Sequence, residues 1–252
     1  MTQKQTPLIS IVIPVLQEEK LLPKTLAAFP RELRLKYNAE LIVSDGGSTD
    51  ATLCIAEQAA DAVVRHTGMH RQTIAEGRNR GAEIAQGKVI IFINGDTIPV
   101  YPDKFISHIY HWTVSIENKN SVGALACPVY IVPDECRRSD AVFSAFYNGY
   151  IRLWVNIFGL GMGRGECQIV RADIFRKVHG YNSDIAAGED FDLFRRMSRY
   201  CQVRYEPALP VYESPRRFRR YGYAMMLLSW TINAVSVMLR GKSVAKEWEA
   251  VR

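Results

Sequence analysis

The five cysteines, Cys54, Cys127, Cys136, Cys167 and Cys201, include no C-x-x-C pair, are odd in number and lie far apart in the chain. That excludes a disulfide framework and points to reduced thiols in a cytosolic compartment. No long Gly/Ser, Gln-rich or Pro-rich tract and no internal repeat is present, so disordered and fibrous classes have no compositional support. The apolar stretch Leu8 to Val15 lacks the length and the cleavage pattern of a signal peptide, and secretion is not expected. His66 and His70 have no carboxylate or cysteine at metal-ligand spacing, and His108, His111 and His179 carry no pattern, so zinc is not expected. No Ser/His/Asp or Cys/His arrangement suggests a covalent nucleophile.

What is there is a 252-residue chain, 48% apolar, enough to bury one substantial core. We expect a main α/β domain over residues 1–212 and a basic, helical appendage over 213–252. The formal charge is +6. One dense basic cluster, Arg216, Arg217, Arg219 and Arg220, stands directly before an apolar run and points to a local anionic partner.

Leu8 to Ile13, rich in β-branched residues and ending at Pro14, predicts a buried strand and then a loop. Helical spacing follows over Glu18 to Phe29, a strand over Glu40 to Ser44, and a helix over Ala51 to Ala60 with Asp50 as its expected N-cap. Ala62 to Arg65 predicts a strand, Thr73 to Gln86 a helix, and Lys88 to Ile93 a fourth strand too uniformly apolar for a one-sided sheet. This alternation is that of a layered α/β domain with a mainly parallel central sheet flanked by helices. Beyond residue 100 the expected helices are Phe105 to Ile116, Ser139 to Phe158 and Phe191 to Tyr200, and the expected strands Val122 to Cys127 and Gln168 to Arg171. Four glycines in the seven residues Gly159 to Gly165 predict a flexible loop suited to act as a lid.

In parallel sheets ligands sit beyond the carboxyl ends of the strands, so Pro14 to Glu18, Asp45 to Asp50 and Asn94 to Thr97 should converge on one crevice. Asp45, Asp96 and the pair Glu189-Asp190 fall at strand ends or loops, where acids cannot join the core. Asn94 and Asp96, two residues apart, project from one side of an extended segment and suit a hard cation and diphosphate or ribose oxygens. Singly, each is an ordinary turn or helix-start residue. Arg71, Arg78 and Arg80 could face phosphates from the helix before Asn94.

In order along the chain, Ile11-Val12-Ile13-Pro14, Gln17-Glu18-Glu19, Leu41 to Asp50 (LIVSDGGSTD), Arg78-Asn79-Arg80-Gly81, Phe92 to Thr97 (FINGDT) and Gly188-Glu189-Asp190 resemble family-2 inverting glycosyltransferases of the GT-A fold, a Rossmann-like nucleotide-diphospho-sugar transferase fold. The resemblance covers about residues 8 to 200, and the block 45–50 is its most specific part. It implies transfer of a single hexose-type sugar from a nucleotide-sugar donor to an acceptor hydroxyl or lipid phosphate. Under it, Pro14 to Glu18 and Asp45 contact the nucleotide, and Arg78 lies in the matching R-x-N-like segment. Asn94 and Asp96 align with the D-x-D motif, with Asp96 holding Mg2+ or Mn2+ on the donor diphosphate. Asp190, beside Glu189, is the catalytic base.

Two positions depart from the pattern: Gln17 stands where Asn is usual, and Asn94 replaces the first Asp of D-x-D. Gln168 to Arg171 superficially matches Q-x-x-R-W, but precedes Glu189-Asp190 and lacks the Trp, so a processive synthase is not expected. Ser214-Pro215-Arg216-Arg217-Phe218 resembles an S-x-R-R-[WF] segment of a small, non-processive subgroup, which implies that Arg216 or Arg217 binds the diphosphate.

Tyr223 to Leu239 is 17 residues long, short of the roughly 20 of a bilayer span. Ser229, Asn233, Ser236 and Arg240 fall on one narrow helical stripe. A helix on a membrane surface, or packed on the domain or a second subunit, is expected ahead of a spanning one. The expected location is cytoplasmic, with peripheral contact at the inner face of the membrane through this helix. Self-association into a homo-oligomer is left open, and nucleic-acid binding is disfavoured because no distributed basic face with stacking aromatics is present. The competing readings are a nucleotidyltransferase, disfavoured by the acidic, glycine-free loop Pro14 to Glu19, and a catalytically degenerate binding module, disfavoured by the retention of Asp45, Asp96 and Asp190.

Overall fold

The computed structural model describes residues 6–116 and 121–245. Its central sheet has seven strands: β1 (Ile9–Val15), β2 (Ala39–Asp45), β3 (Ala62–Arg65), β4 (Val89–Ile93), β6 (Val122–Ala126), β8 (Cys167–Arg171) and β9 (Gln202–Tyr205). They lie in the order β3-β2-β1-β4-β8-β6-β9. The β1–β2, β2–β3, β1–β4 and β6–β9 pairs are parallel, whereas β8 runs antiparallel to β4 and β6. The expected mainly parallel α/β sheet is therefore present.

Both faces of the sheet are buried, which is why its inner strands read as continuous apolar runs. Ile9, Ile11 and Ile13 of β1 point to one layer with α1 (Leu22–Ala27), α3 (Thr52–Ala59) and α5 (Pro102–Ser115). Val12 of β1, with Ile90 and Phe92 of β4, points to the other layer, with α4 (Ile74–Ile84), α6 (Arg138–Asn156), α7 (Ala172–Lys177) and α8 (Glu189–Met197). The helix expected over residues 18–29 is shorter and is followed by a separate helix, α2 (Arg31–Lys36), beginning after Pro30.

Pro14 belongs to β1 rather than to the following loop. It is tolerated there because pairing with β4 has already ended at Val12 opposite Phe92, so its missing N–H leaves no gap on that side. Asp50 is not the N-cap of α3, a position held by Ala51. Its carboxylate still accepts the Thr52 N–H at 3.0 Å. Thr73 and Glu76 close a reciprocal capping box on α4.

A small second sheet joins β5 (Thr97–Pro99), β10 (Val211–Glu213) and β7 (Val129–Ile131). Glu213 pairs with Thr97, so the chain leaving β10 is brought beside Asp96 across more than a hundred residues. There it forms α9 (Arg216–Tyr221) and α10 (Tyr223–Arg240). The boundary expected after residue 212 thus falls inside β10, and residues 246–252 of the expected appendage lie outside the described residues.

The glycine loop 159–165 is not the loose lid expected from its composition. A Cβ on Gly161 would stand 2.1 Å from the Phe194 carbonyl oxygen, and one on Gly163 would stand 2.6 Å from the Phe194 ring. Small residues are needed here for close approach to α8, and the loop is packed rather than free. Gly161→Ala should therefore lower stability by about 1–3 kcal/mol. Gly149→Ala, in mid-α6 with nothing within 4 Å of the added methyl, should raise it by about 0.5–1 kcal/mol. Chemical denaturation of the two variants checks both signs.

Candidate active site

The switch in strand order falls between β1, whose chain turns to β2 on one side, and β4 on its other side. A cleft of about 460 Å3 opens there, beyond the carboxyl ends of these strands. Pro14, Glu18, Arg78, Asn94, Asp96, Glu189, Asp190, Arg216 and Arg217 all line it. Asp45 does not: it is buried, and its carboxylate accepts the backbone N–H groups of Gly47 at 3.1 Å and Ser48 at 3.0 Å. It shapes the loop behind the cleft, while its neighbour Gly46 reaches the wall.

Gln17 clamps the same loop. Its carboxamide oxygen accepts from Thr49 N at 2.7 Å and Asp50 N at 3.2 Å, and its nitrogen donates to Thr49 Oγ1 at 2.8 Å. The residue has φ 56°, a left-handed conformation that Asn adopts more readily than Gln. The departure at this position therefore keeps the carboxamide at some backbone cost.

Arg78, 1% exposed, spends its guanidinium on protein partners rather than offering it freely to phosphates. Nη1 donates to Glu189 Oε1 at 2.8 Å, and Nη2 donates to Asn94 Oδ1 at 3.1 Å and to the Gly165 carbonyl at 2.5 Å. The same group lies over the Tyr181 ring, 5.1 Å from its centroid. One cation thus ties α4, the loop after β4, the glycine loop and the start of α8. Of the neighbouring arginines, Arg71 lines the cleft and Arg80 does not.

Asp190 sits at the cleft wall as the second residue of α8, which starts from left-handed Gly188. Its Oδ1 accepts the Phe191 N–H at 2.8 Å. Burial, reinforced by the nearby Glu189 charge, pushes its carboxyl up to about 7. Asp96 faces a different environment: Arg216 Nη2 donates to Asp96 Oδ2 at 3.0 Å and to Glu18 Oε1 at 2.6 Å.

Sequence reasoning missed a second charged group on the wall, formed by Arg164, Glu166 and Glu213. Arg164 grips Glu166 with two bonds of 3.1 Å and donates to Glu213 at 2.5 Å. Burial drives the Glu213 carboxyl well above the usual carboxylate range, while Arg164 overcomes the same burial at Glu166 and holds it low. The signal in the sequence was the run Arg164-Gly165-Glu166 closing the glycine loop, with Glu213 placed just before Ser214-Pro215-Arg216.

Among the described residues no group of three His, Cys, Asp or Glu forms a metal cage. A divalent ion held by one carboxylate, water and the oxygens of a bound phosphate needs no such cage. Asp96, in the cleft and already facing a cation, fits that mode.

The cleft geometry and the sheet define a GT-A fold. A mannosyltransferase from Pyrobaculum calidifontis, solved with GDP-Man and Mn2+, superposes with TM-score 0.71 at 16% identity over 94% of this chain and 65% of its own. Glucosyl-3-phosphoglycerate synthase from Mycobacterium tuberculosis, solved with Mn2+, UDP and phosphoglyceric acid, gives TM-score 0.58 at 15% identity, covering 92% and 78%.

Residues 10–125 match the model described as glycosyl transferase family 2. A PGL/p-HBAD biosynthesis glycosyltransferase of Mycobacterium bovis (strain BCG / Pasteur 1173P2) is 36% identical over 93 residues, 36% of each protein. The match therefore spans little more than a third of that relative.

Removing the Arg78 side chain would leave Glu189 buried without its counter-charge. Arg78→Ala should lose about 3–5 kcal/mol of stability, read by urea or guanidinium unfolding.

Proposed function

We propose that the protein is a metal-assisted, inverting glycosyltransferase that moves one hexose-type sugar from a nucleotide-sugar donor to an acceptor hydroxyl or lipid-borne phosphate. The observation that carries this reading is the meeting, in one cleft, of Asp96 with an arginine counter-charge and Asp190 with a carboxyl raised to about 7. The related glycosyltransferases and the GT-A neighbours support it.

Pro14, Glu18 and Gly46, backed by Asp45 and Gln17, line the nucleotide end of the cleft in this reading. Arg216 exchanges its pairing with Asp96 and Glu18 for the donor diphosphate, with Arg217 beside it. That exchange frees the Asp96 carboxylate for Mg2+ or Mn2+, which when bound neutralises charge developing on the leaving diphosphate. Asp190 removes the acceptor proton, and a single displacement from the opposite face inverts the anomeric centre. Glu189 is held by Arg78 and positions the start of α8; its bond to the buried guanidinium makes it a support for Asp190.

A base with a carboxyl near 7 is ionised above that pH and lost below it. Activity should therefore fall about tenfold per pH unit on the acid side, with the bend in kcat/KM near 7. Asp190→Asn should lower kcat by about 100- to 10,000-fold. It should not lower stability, because the neutral amide replaces a carboxylate that burial already disfavours.

The defining experiment is release of nucleoside diphosphate from a panel of UDP-, GDP- and dTDP-sugars, with and without Mn2+ or Mg2+. Metal-dependent release from one donor, abolished by Asp96→Ala and weakened in donor affinity by Arg216→Ala, is expected. Neither turnover nor metal-assisted nucleotide binding with any donor would remove the enzyme reading, and unchanged donor affinity in both Arg216→Ala and Arg217→Ala would remove these residues from the site.

A further inference from the structure

The polar stripe of α10 faces the protein over Ser229, Asn233 and Ser236, and only Arg240 at its end is exposed. Asn233 is buried, its Nδ2 donates to the Ser229 carbonyl at 2.8 Å, and its Oδ1 accepts from Val244 N at 3.0 Å and Ala245 N at 3.1 Å. Ser236 Oγ donates to the Lys242 carbonyl at 2.8 Å. Met226 and Val237 are buried on the same side. The opposite side carries Met225, Leu228, Ile232, Val235 and Leu239, all exposed, the last at 74%. These fall at i, i+3, i+7, i+10 and i+14, a single stripe of an α-helix. No charged residue interrupts Tyr223 to Leu239, about 25 Å of helix.

The pattern is repeated on α6, where nothing in the sequence had drawn notice to it. Val142, Phe146, Tyr150, Leu153 and Ile157 are exposed at i, i+4, i+8, i+11 and i+15, the last at 70%, on the side away from the buried Phe143, Ser144, Ile151 and Val155. The two helices are neighbours: Phe143 meets Tyr223 at 4.5 Å between ring centroids, and Tyr147 meets Trp230 at 5.2 Å. Isolated exposed apolar residues are ordinary, but two charge-free stripes on helices held together by these aromatic contacts are of the kind that marks an interaction site.

Charge selects the partner. Residues 137–160 and 214–245, which carry the two stripes, hold nine Lys and Arg against one Asp. Their net charge of +8, set against +6 for the whole chain, leaves the remainder at −2. Arg216 is turned into the cleft and Arg219 pairs with the buried Asp140, while Arg138, Arg152, Arg220, Arg240 and Lys242 are exposed around the helices. A second copy docked symmetrically through this face would bring two such basic rims together, which opposes association. An anionic bilayer supplies both the apolar interior and the counter-charge.

We propose that the exposed faces of α6 and α10 together form a docking surface that seats the protein in one leaflet of an anionic bilayer. Among the described residues no helix is long and apolar enough to cross a membrane. Tyr147 of α6 and Trp230, Asn233 and Ala234 of α10 also line the cleft. Docking therefore seats on the lipid the same two helices whose inner sides wall the cleft; that a lipid-borne acceptor reaches the cleft past them rests on the sugar-transfer reading, and the docking itself does not.

The test is flotation of the full chain with vesicles of phosphatidylcholine alone and of phosphatidylcholine mixed with phosphatidylglycerol, read without turnover. Binding to the mixed vesicles, weaker with phosphatidylcholine alone, is expected. It should fall about tenfold or more in each of two paired variants, Leu228→Glu with Ile232→Glu and Phe146→Glu with Ile157→Glu. All four positions are exposed, so melting temperature should change little and certify that each variant folds. No flotation with either vesicle, or flotation unchanged in both pairs, overturns the proposal. So does a concentration-dependent dimer abolished by the same pairs without vesicle binding, which would assign the face to a second copy. Vesicle binding by a chain that releases no nucleoside diphosphate from any donor would leave the docking face standing and count against the chemistry alone.

Discussion

An enclosed guanidinium is stable only where counter-charge and acceptors surround it, and both terminal nitrogens of Arg78 find partners, while groups from four separate parts of the chain enclose it. Glu189 supplies the charge, Asn94 and the Gly165 carbonyl accept its hydrogen bonds, and the Tyr181 ring covers its face. The rest of the cleft depends on this contact. It holds the segment leading to Asp96, seats the glycine loop on α8, and sets the first turn of the helix that carries Asp190. Fixing the approach of these segments in one buried ion pair keeps the positions of Asp96 and Asp190 from relying on loop conformation alone.

The two carboxylates at the centre of the cleft differ because their surroundings differ. Asp96 has a guanidinium against it, and the β5–β10 pairing that delivers Arg216 makes this contact a consequence of topology. Asp190 is next to another carboxylate whose counter-charge is already committed, and burial raises it to about 7. One is therefore placed against a cation, and the other is suited to exchange a proton near neutrality.

The helices that close the cleft also carry the molecule's exposed apolar stripes. Their inner faces contribute Tyr147 and Trp230 to the wall, and their outer faces are free of charge along most of their length. Cleft wall and exposed apolar surface are thus carried on opposite sides of the same two helices. The aromatic contacts between α6 and α10 hold these two surfaces in a fixed relation.

The four strands through Ile93 and the helices between them apart from α2, the double-sided burial of the sheet, and the convergence of Glu18, Asp96 and Asp190 were legible in the sequence, because hydrophobic periodicity and strand-end position are local properties. The glycine loop misled: composition measures conformational freedom, whereas Gly161 and Gly163 serve close approach to Phe194, a residue some thirty positions away. Asp45 misled for a similar reason, since a carboxylate after a strand can turn outward to a ligand or inward to its own loop, and the neighbouring N–H groups decide which. Arg78 read as a phosphate ligand and proved to be a tie, because its partners are distant in sequence. The sequence by itself determined the layers, the strand ends and the acidic residues placed there. Only the tertiary structure decided which charges neutralise one another, which glycines are packed and which side of α10 meets solvent, because each depends on contacts between segments that no local pattern specifies.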